Sequence, residues 1–231
     1  FLVFVYGMLN ITPTVILPNM LQNLAGFPDS DIGFILAMRS VGIFFGFLFV
    51  SRLATLDPRW GIISGLLAIG ISGIISATFD ANVTVSMIAW TGILQGLGCG
   101  LMWVPLSVVA FVTLDPKLMP EGTSLFHLIR NYGSSIFIAL NVMVVLRTTK
   151  VNYSELSETA IPYKEKYTGT ITLDGIGIDT NYGLLELATE IAKQAEMIGY
   201  LNSFILYAVG ALFPIPMLLM LRLKQKTDVK A

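Results

Sequence analysis

The chain has 231 residues, of which 55% are hydrophobic and only 13% charged, with mean hydropathy +0.75. A soluble domain carries roughly 25% charged residues, so there is too little charge here to solvate a globule. The formal charge of −1 supplies no basic field for nucleic acid. One cysteine, Cys99, and one histidine, His127, exclude a disulfide framework, a thiolate zinc cluster and any site built from several imidazoles. A membrane protein remains. A helical span takes about 20 apolar residues, and the chain has room for six.

Charges bound the apolar runs and put spans at about 1–24, 31–53, 60–79, 85–112, 121–146 and 198–222. Backbone groups in lipid must close their hydrogen bonds internally, which favours helices. The runs are solidly apolar and lack the alternation of a transmembrane barrel. The expected fold is therefore an all-α transmembrane six-helix bundle. Short connectors carry helix breakers and caps, as in Gly26-Phe27-Pro28-Asp29-Ser30 and Leu114-Asp115-Pro116-Lys117.

The first span holds Asn10, Thr12, Asn19 and Gln22, and Pro13 and Pro18 interrupt its amide ladder. Asn19 and Gln22 are three apart and share a face, either toward a cavity or bonding neighbouring helices. The second span carries Arg39 at a depth of roughly 12 Å, given 1.5 Å per residue. A cation there costs at least about 2.5–3.5 kcal/mol on insertion scales and needs an interior partner or an aqueous cavity. In the fourth span Gly92, Gly96 and Gly100 leave one helix edge bare for close packing. Gln95, Met102 and Trp103 on adjoining faces offer an amide, a thioether and an aromatic ring to a greasy ligand.

The fifth span places His127, Arg130, Asn131, Ser134 and Asn141 on one helical face, which should meet the bundle interior or a water-filled cavity. No Asp or Glu lies as deep as Arg39 or Arg130. Their counter-charges are then helix C-termini, an anionic substrate or carboxylates outside this chain; in the bland alternative each arginine bonds backbone carbonyls and locks packing.

Residues 147–197 hold 13 of the 29 charges, net −3, and read as a solvated connector. Within it, Asp174-Gly175 signals either a hairpin turn or a flexible loop. Residues 184–197 have helical periodicity, with Leu184, Leu187, Ala188 and Ile191 on one face, and are expected to lie along the interface. The expected organisation is five transmembrane helices in 1–146, an extracytoplasmic loop in 147–197, the last transmembrane helix in 198–222 and a cytoplasmic tail in 223–231. Connectors two and four and the C-terminal tail hold Arg52, Arg59, Lys117, Arg222, Lys224, Lys226 and Lys230, whereas connectors one and three hold no cation. The positive-inside bias puts the C-terminus in the cytoplasm. Phe1 opens directly into an apolar run with no basic lead, which reads as a fragment whose upstream part is missing.

No Gly-x-Ser-x-Gly elbow, phosphate-cradling loop with lysine or His-Glu-x-x-His pair occurs, so no catalytic constellation is read. Other motifs do form a series. Leu17-Pro18-Asn19-Met20-Leu21-Gln22, Ile32-Gly33 through Arg39-Ser40-Val41-Gly42, Asp57-Pro58-Arg59, Gln95-Gly96-Leu97-Gly98-Cys99-Gly100 with Val104-Pro105-Leu106, and Glu121-Gly122 through Arg130-Asn131-Tyr132-Gly133-Ser134 follow in order on successive spans. This series resembles the fourteen-span drug:proton antiporters of the major facilitator superfamily, the EmrB/QacA group. Gln95 stands where that group commonly has arginine, and His127 where it commonly has asparagine.

The resemblance implies the C-terminal six-span part of a multi-pass inner-membrane efflux transporter conferring multidrug resistance. It would work by alternating access, with the proton gradient as energy source and no cofactor. Asn19, Gln22, Gln95, Trp103, His127, Arg130 and Asn131 would line or support the substrate cavity. Arg39, Pro18, Gly96, Gly100, Pro105, Asp57 and Arg59 would be structural or gating positions. Partners would be a hydrophobic small-molecule substrate, the lipid bilayer, the missing N-terminal bundle and an envelope adaptor protein. The alternatives are a non-transporting membrane sensor or assembly protein, an uptake carrier of the same fold, and a membrane-embedded enzyme acting on lipid-linked substrates.

Overall fold

A computed structural model describes residues 1–24, 26–53, 58–80, 83–112, 114–166, 172–173, 176–177 and 181–220. The helices are α1 (Leu2–Asn23), α2 (Asp29–Leu53), α3 (Pro58–Ser76), α4 (Val85–Phe111), α5 (Met119–Lys166), α6 (Asn181–Leu212) and α7 (Pro214–Met220). Among the described residues, six helices are long and apolar enough to cross a membrane, as the hydropathy pattern predicts. The fold is all-α apart from one small ladder. There β1 (Thr172–Leu173) pairs antiparallel with β2 (Ile176–Gly177), Thr172 opposite Gly177 and Leu173 opposite Ile176. Its flanks match the hairpin reading, while Asp174 and Gly175 themselves lie outside the described residues.

Local chemistry sets the helix ends. Gly26 adopts φ 62°, a left-handed conformation that glycine reaches without a Cβ penalty. The Phe27 N–H then reaches back to the Leu21 carbonyl at 3.1 Å, capping α1 and turning the chain toward α2. Asp29 and Asp31 occupy the first turn of α2, where negative charge meets the positive end of the helix dipole. Before α5, the Asp115 carboxylate accepts the Lys117 N–H at 3.0 Å at the head of a short 3₁₀ turn, Pro116–Leu118.

The helices form a ring in the spatial order α1, α5, α6, α3, α4, α2. Lipid tails are as apolar as leucine, so association rests on close packing, and glycines provide it. A Cβ on Gly96 would collide with the Arg39 carbonyl and one on Gly100 with the Ile43 carbonyl, so α4 lies directly on the α2 backbone. Gly42 and Gly46 of α2 meet α4 in the same way, and Gly7 of α1 meets the Arg130 carbonyl of α5. Large apolar side chains are turned outward instead. Phe44, Phe47 and Leu48 on α2 and Leu67, Ile71 and Ile74 on α3 are exposed, as suits a lipid solvent. Trp60 and Trp90, near the starts of α3 and α4, are also exposed.

Two differences from the sequence expectation concern length. The fifth span, expected to end near 146, continues as α5 to Lys166. The helix expected at about 184–197 is not separate: α6 runs unbroken from Asn181 to Leu212, so that stretch is collinear with the last span. The last span breaks at Phe213, ahead of Pro214 and Pro216, before the short α7. Residues 221–231, with the expected tail, lie outside the described residues. Glycine packing yields a graded prediction. Gly96→Ala should lower unfolding stability by about 1–3 kcal/mol. Gly33→Ala, where an added Cβ meets nothing within 4 Å, should leave it unchanged. Thermal unfolding of the detergent-purified full-length protein reads both.

Candidate functional site

Pro13 has no N–H, so the carbonyl four residues earlier, that of Leu9, loses its ladder donor. The Tyr207 hydroxyl of α6 donates to that carbonyl at 2.9 Å. Tyr207 in turn accepts from Gln95 Nε2 of α4 at 3.2 Å. Gln95 Oε1 accepts from Arg39 Nε of α2 at 3.2 Å. Arg39 closes the ring on α1, donating to the Asn10 carbonyl at 2.5 Å and to Asn10 Oδ1 at 3.0 Å. Arginine is donor-only, which dictates that the Gln95 oxygen faces Arg39 and its NH₂ faces Tyr207. Every bond in the circuit then has one donor and one acceptor. The Cys99 sulfur lies 3.8 Å from the same guanidinium. Leu9, Tyr207 and Gln95 are buried, and Arg39 is half-buried.

Among the described residues, the groups Arg39 bonds are uncharged. Of the counter-charges considered for it, the structure favours the bland alternative: amides and a carbonyl that lock helix packing. A second buried bridge joins α5 to α6, where the Ser203 hydroxyl donates to Asn141 Oδ1 at 2.9 Å and Asn141 Nδ2 donates to the Phe137 carbonyl at 2.8 Å.

The polar face of α5 thus meets two environments. Ser134 and Asn141 are buried in the bundle, whereas His127 and Asn131 are exposed and Arg130 is half-buried. Around the exposed end lies an aromatic cluster. The Tyr6 and Trp103 rings are 5.1 Å apart, Phe126 meets Trp103 edge-on at 5.7 Å, and His127 meets Phe126 edge-on at 5.7 Å. The Arg130 guanidinium sits 5.7 Å from the Trp103 ring centre and donates to Asn131 Oδ1 at 3.2 Å. Tyr6 and Phe126 are buried beneath this surface, which offers the half-buried Trp103 ring to an apolar molecule and an imidazole, an amide and a cation to its polar edge. Further along α5 an open groove of about 660 Å³ passes Ile138, Val142, Met143 and Leu146 and ends at Arg147 and Lys150.

The remaining sequence candidates do not join this cluster. Asn19 and Gln22 are exposed near the far end of α1, about 20 Å from Tyr6 at the helical rise. The Asn19 amide donates to the Val15 carbonyl at 2.9 Å, and the Gln22 amide to Asp29 Oδ1 at 3.2 Å. Pro18 is half-buried in α1, and Pro105 is buried against Gly61, where a Cβ would come within 2.6 Å of its ring. Gly96 and Gly100 form the α2 contact. Arg59 is half-buried in the first turn of α3, and Asp57 lies outside the described residues. Sequence reasoning missed Tyr207 and Ser203; their spacing of four on α6 was the available signal. Among the described residues, no group of three His, Cys, Asp or Glu is placed to hold a metal ion.

No family model matches the chain. It is similar to the multidrug export protein EmrB of Haemophilus influenzae, 26% identical over 208 residues, which cover 86% of this chain. The chain spans 39% of the length of that relative. Together with the six membrane-length helices, this likeness describes a multi-pass membrane protein.

The circuit predicts the effect of its simplest break. Gln95→Leu leaves an Arg39 N–H and the Tyr207 oxygen without partners, and should cost about 1–3 kcal/mol. Thermal unfolding of the purified full-length protein should register that loss, and Asn19→Leu, at an exposed position, should not.

Proposed function

We propose that this chain forms the C-terminal six-helix bundle of a proton-coupled multidrug efflux antiporter, a major facilitator superfamily protein of the EmrB/QacA group in the inner membrane. The observation that carries the reading is the face formed by Trp103, His127, Arg130 and Asn131. Polar and aromatic groups are presented there at the surface of helices that otherwise turn apolar side chains outward. The likeness to a protein named for multidrug export supports it.

In this reading the face borders a cavity between the six helices and an N-terminal bundle, and rocking of the two exposes it to each side in turn. Hydrophobic or amphipathic substrates contact Trp103, and their polar groups meet His127, Arg130 and Asn131. Such a surface discriminates weakly, because apolar contact and stacking depend little on substrate identity. The proton gradient supplies the energy, and the coupling acids belong to the N-terminal bundle. The C-terminus is cytoplasmic, and an envelope adaptor protein is a further partner.

Efflux of a fluorescent hydrophobic dye from energised cells expressing the full-length gene tests the reading. Trp103→Ala and the double variant Arg130→Ala with Asn131→Ala should each lower the initial efflux rate at least fivefold at equal membrane abundance, and a protonophore should abolish efflux. Unchanged rates in both variants remove this face from the substrate path, and dye efflux that survives the protonophore removes proton coupling.

A further inference from the structure

The buried circuit contains a residue with a role that packing alone does not require. A hydroxyl on α6 is not needed to fill space, since phenylalanine has nearly the same volume as tyrosine. It is needed because Pro13 leaves the Leu9 carbonyl without a ladder donor, and Tyr207 O–H is the donor that reaches it, at 2.9 Å. The same turn of α1 is held from the other side by Arg39 at the Asn10 carbonyl. Gln95 ties the two holders together, so that α1, α2, α4 and α6 meet at one opened turn. Asn141, Ser203 and Tyr207 converge on the same place, beside Thr12 and Pro13.

We propose that Tyr207 is a positioning residue: its hydroxyl substitutes for the missing amide of residue 13 and holds α1 closed over Cys99 and Gln95 at a proline hinge. Loss of that bond loosens the hinge, and the turn can then bend without breaking a ladder bond from residue 13, because Pro13 has no N–H to donate. Placing this opening within a transport cycle rests on the exporter reading above; the lock itself does not.

Cys99 provides a reporter, being buried at 1% exposure and 3.8 Å from Arg39. In membranes containing the full-length protein, N-ethylmaleimide alkylation of Cys99 is followed by mass spectrometry of its peptide, which separates it from any other cysteine. Tyr207→Phe should raise the alkylation rate at least fivefold. Pro13→Ala restores an N–H at position 13 and returns to Leu9 its own ladder donor. The double variant should therefore label no faster than twice the rate of Pro13→Ala alone, a suppression that a merely space-filling Tyr207 does not produce. Labelling of Tyr207→Phe within twofold of the parent, or no suppression by Pro13→Ala, overturns the proposal. If Tyr207→Phe fails to fold, recovery of folded protein in the double variant supports the lock and continued failure overturns it. Dye efflux measured alongside separates the two ideas: altered Cys99 labelling in a protein whose parent exports no dye leaves the lock standing and removes the exporter.

Discussion

A carbonyl deprived of its helical donor in the middle of a membrane must find another, because lipid offers none. Pro13 creates that demand at Leu9, and the structure meets it with a hydroxyl from α6. The rest of the interior follows from this requirement. Tyr207 needs a donor of its own, which brings in Gln95. The carbonyl end of Gln95 needs something that only donates, which is Arg39, and Arg39 then has donors left for the neighbouring turn of α1. Each residue type in the circuit is set by the one before it, and a half-buried guanidinium is accommodated without an opposing carboxylate among its described partners.

This circuit is possible only because the helices approach so closely. An amide on α4 reaches a guanidinium on α2 because Gly96 and Gly100 let the two backbones touch. With larger residues at those positions the α2–α4 gap would widen, and the Arg39–Gln95 bond, the circuit's link between these two helices, would be stretched. Glycine spacing and polar bonding, which read as separate features along the chain, are therefore one design. The first sets the distance and the second uses it. The glycine stripe packs α4 directly against α2, and that packing makes the polar interior possible.

The six membrane-length helices were legible because hydropathy responds to the solvent, and lipid imposes a simple rule on long runs. Arg39 was legible as a residue needing an interior partner. Its partners were not, since the Asn10 amide and carbonyl and the Gln95 amide are neutral and lie on two separate stretches of chain. The α5 stripe was correctly placed on one face, but a face has no single environment. The neighbours of Asn141 close over it while those of Asn131 leave it open, and only the packing of α6 on α5 decides that. Asn19 and Gln22 share a face as expected, yet they stand apart from Trp103 because position along a helix matters as much as angle. The charged stretch after 146 was read as a loop because charge density reports solvation. It does not report conformation, and a solvated segment can continue a helix.

That continuation changes the mechanics of the molecule. From 147 to 166, α5 extends about 30 Å beyond the expected end of its span, and α6 approaches the bundle from Asn181 as an equally uninterrupted rod. Rigid extensions of this kind act as lever arms. A tilt of about 10° at the bundle sweeps the distal end through about 5 Å at that length, so a small rearrangement among packed glycines becomes a large displacement far from the glycine seams.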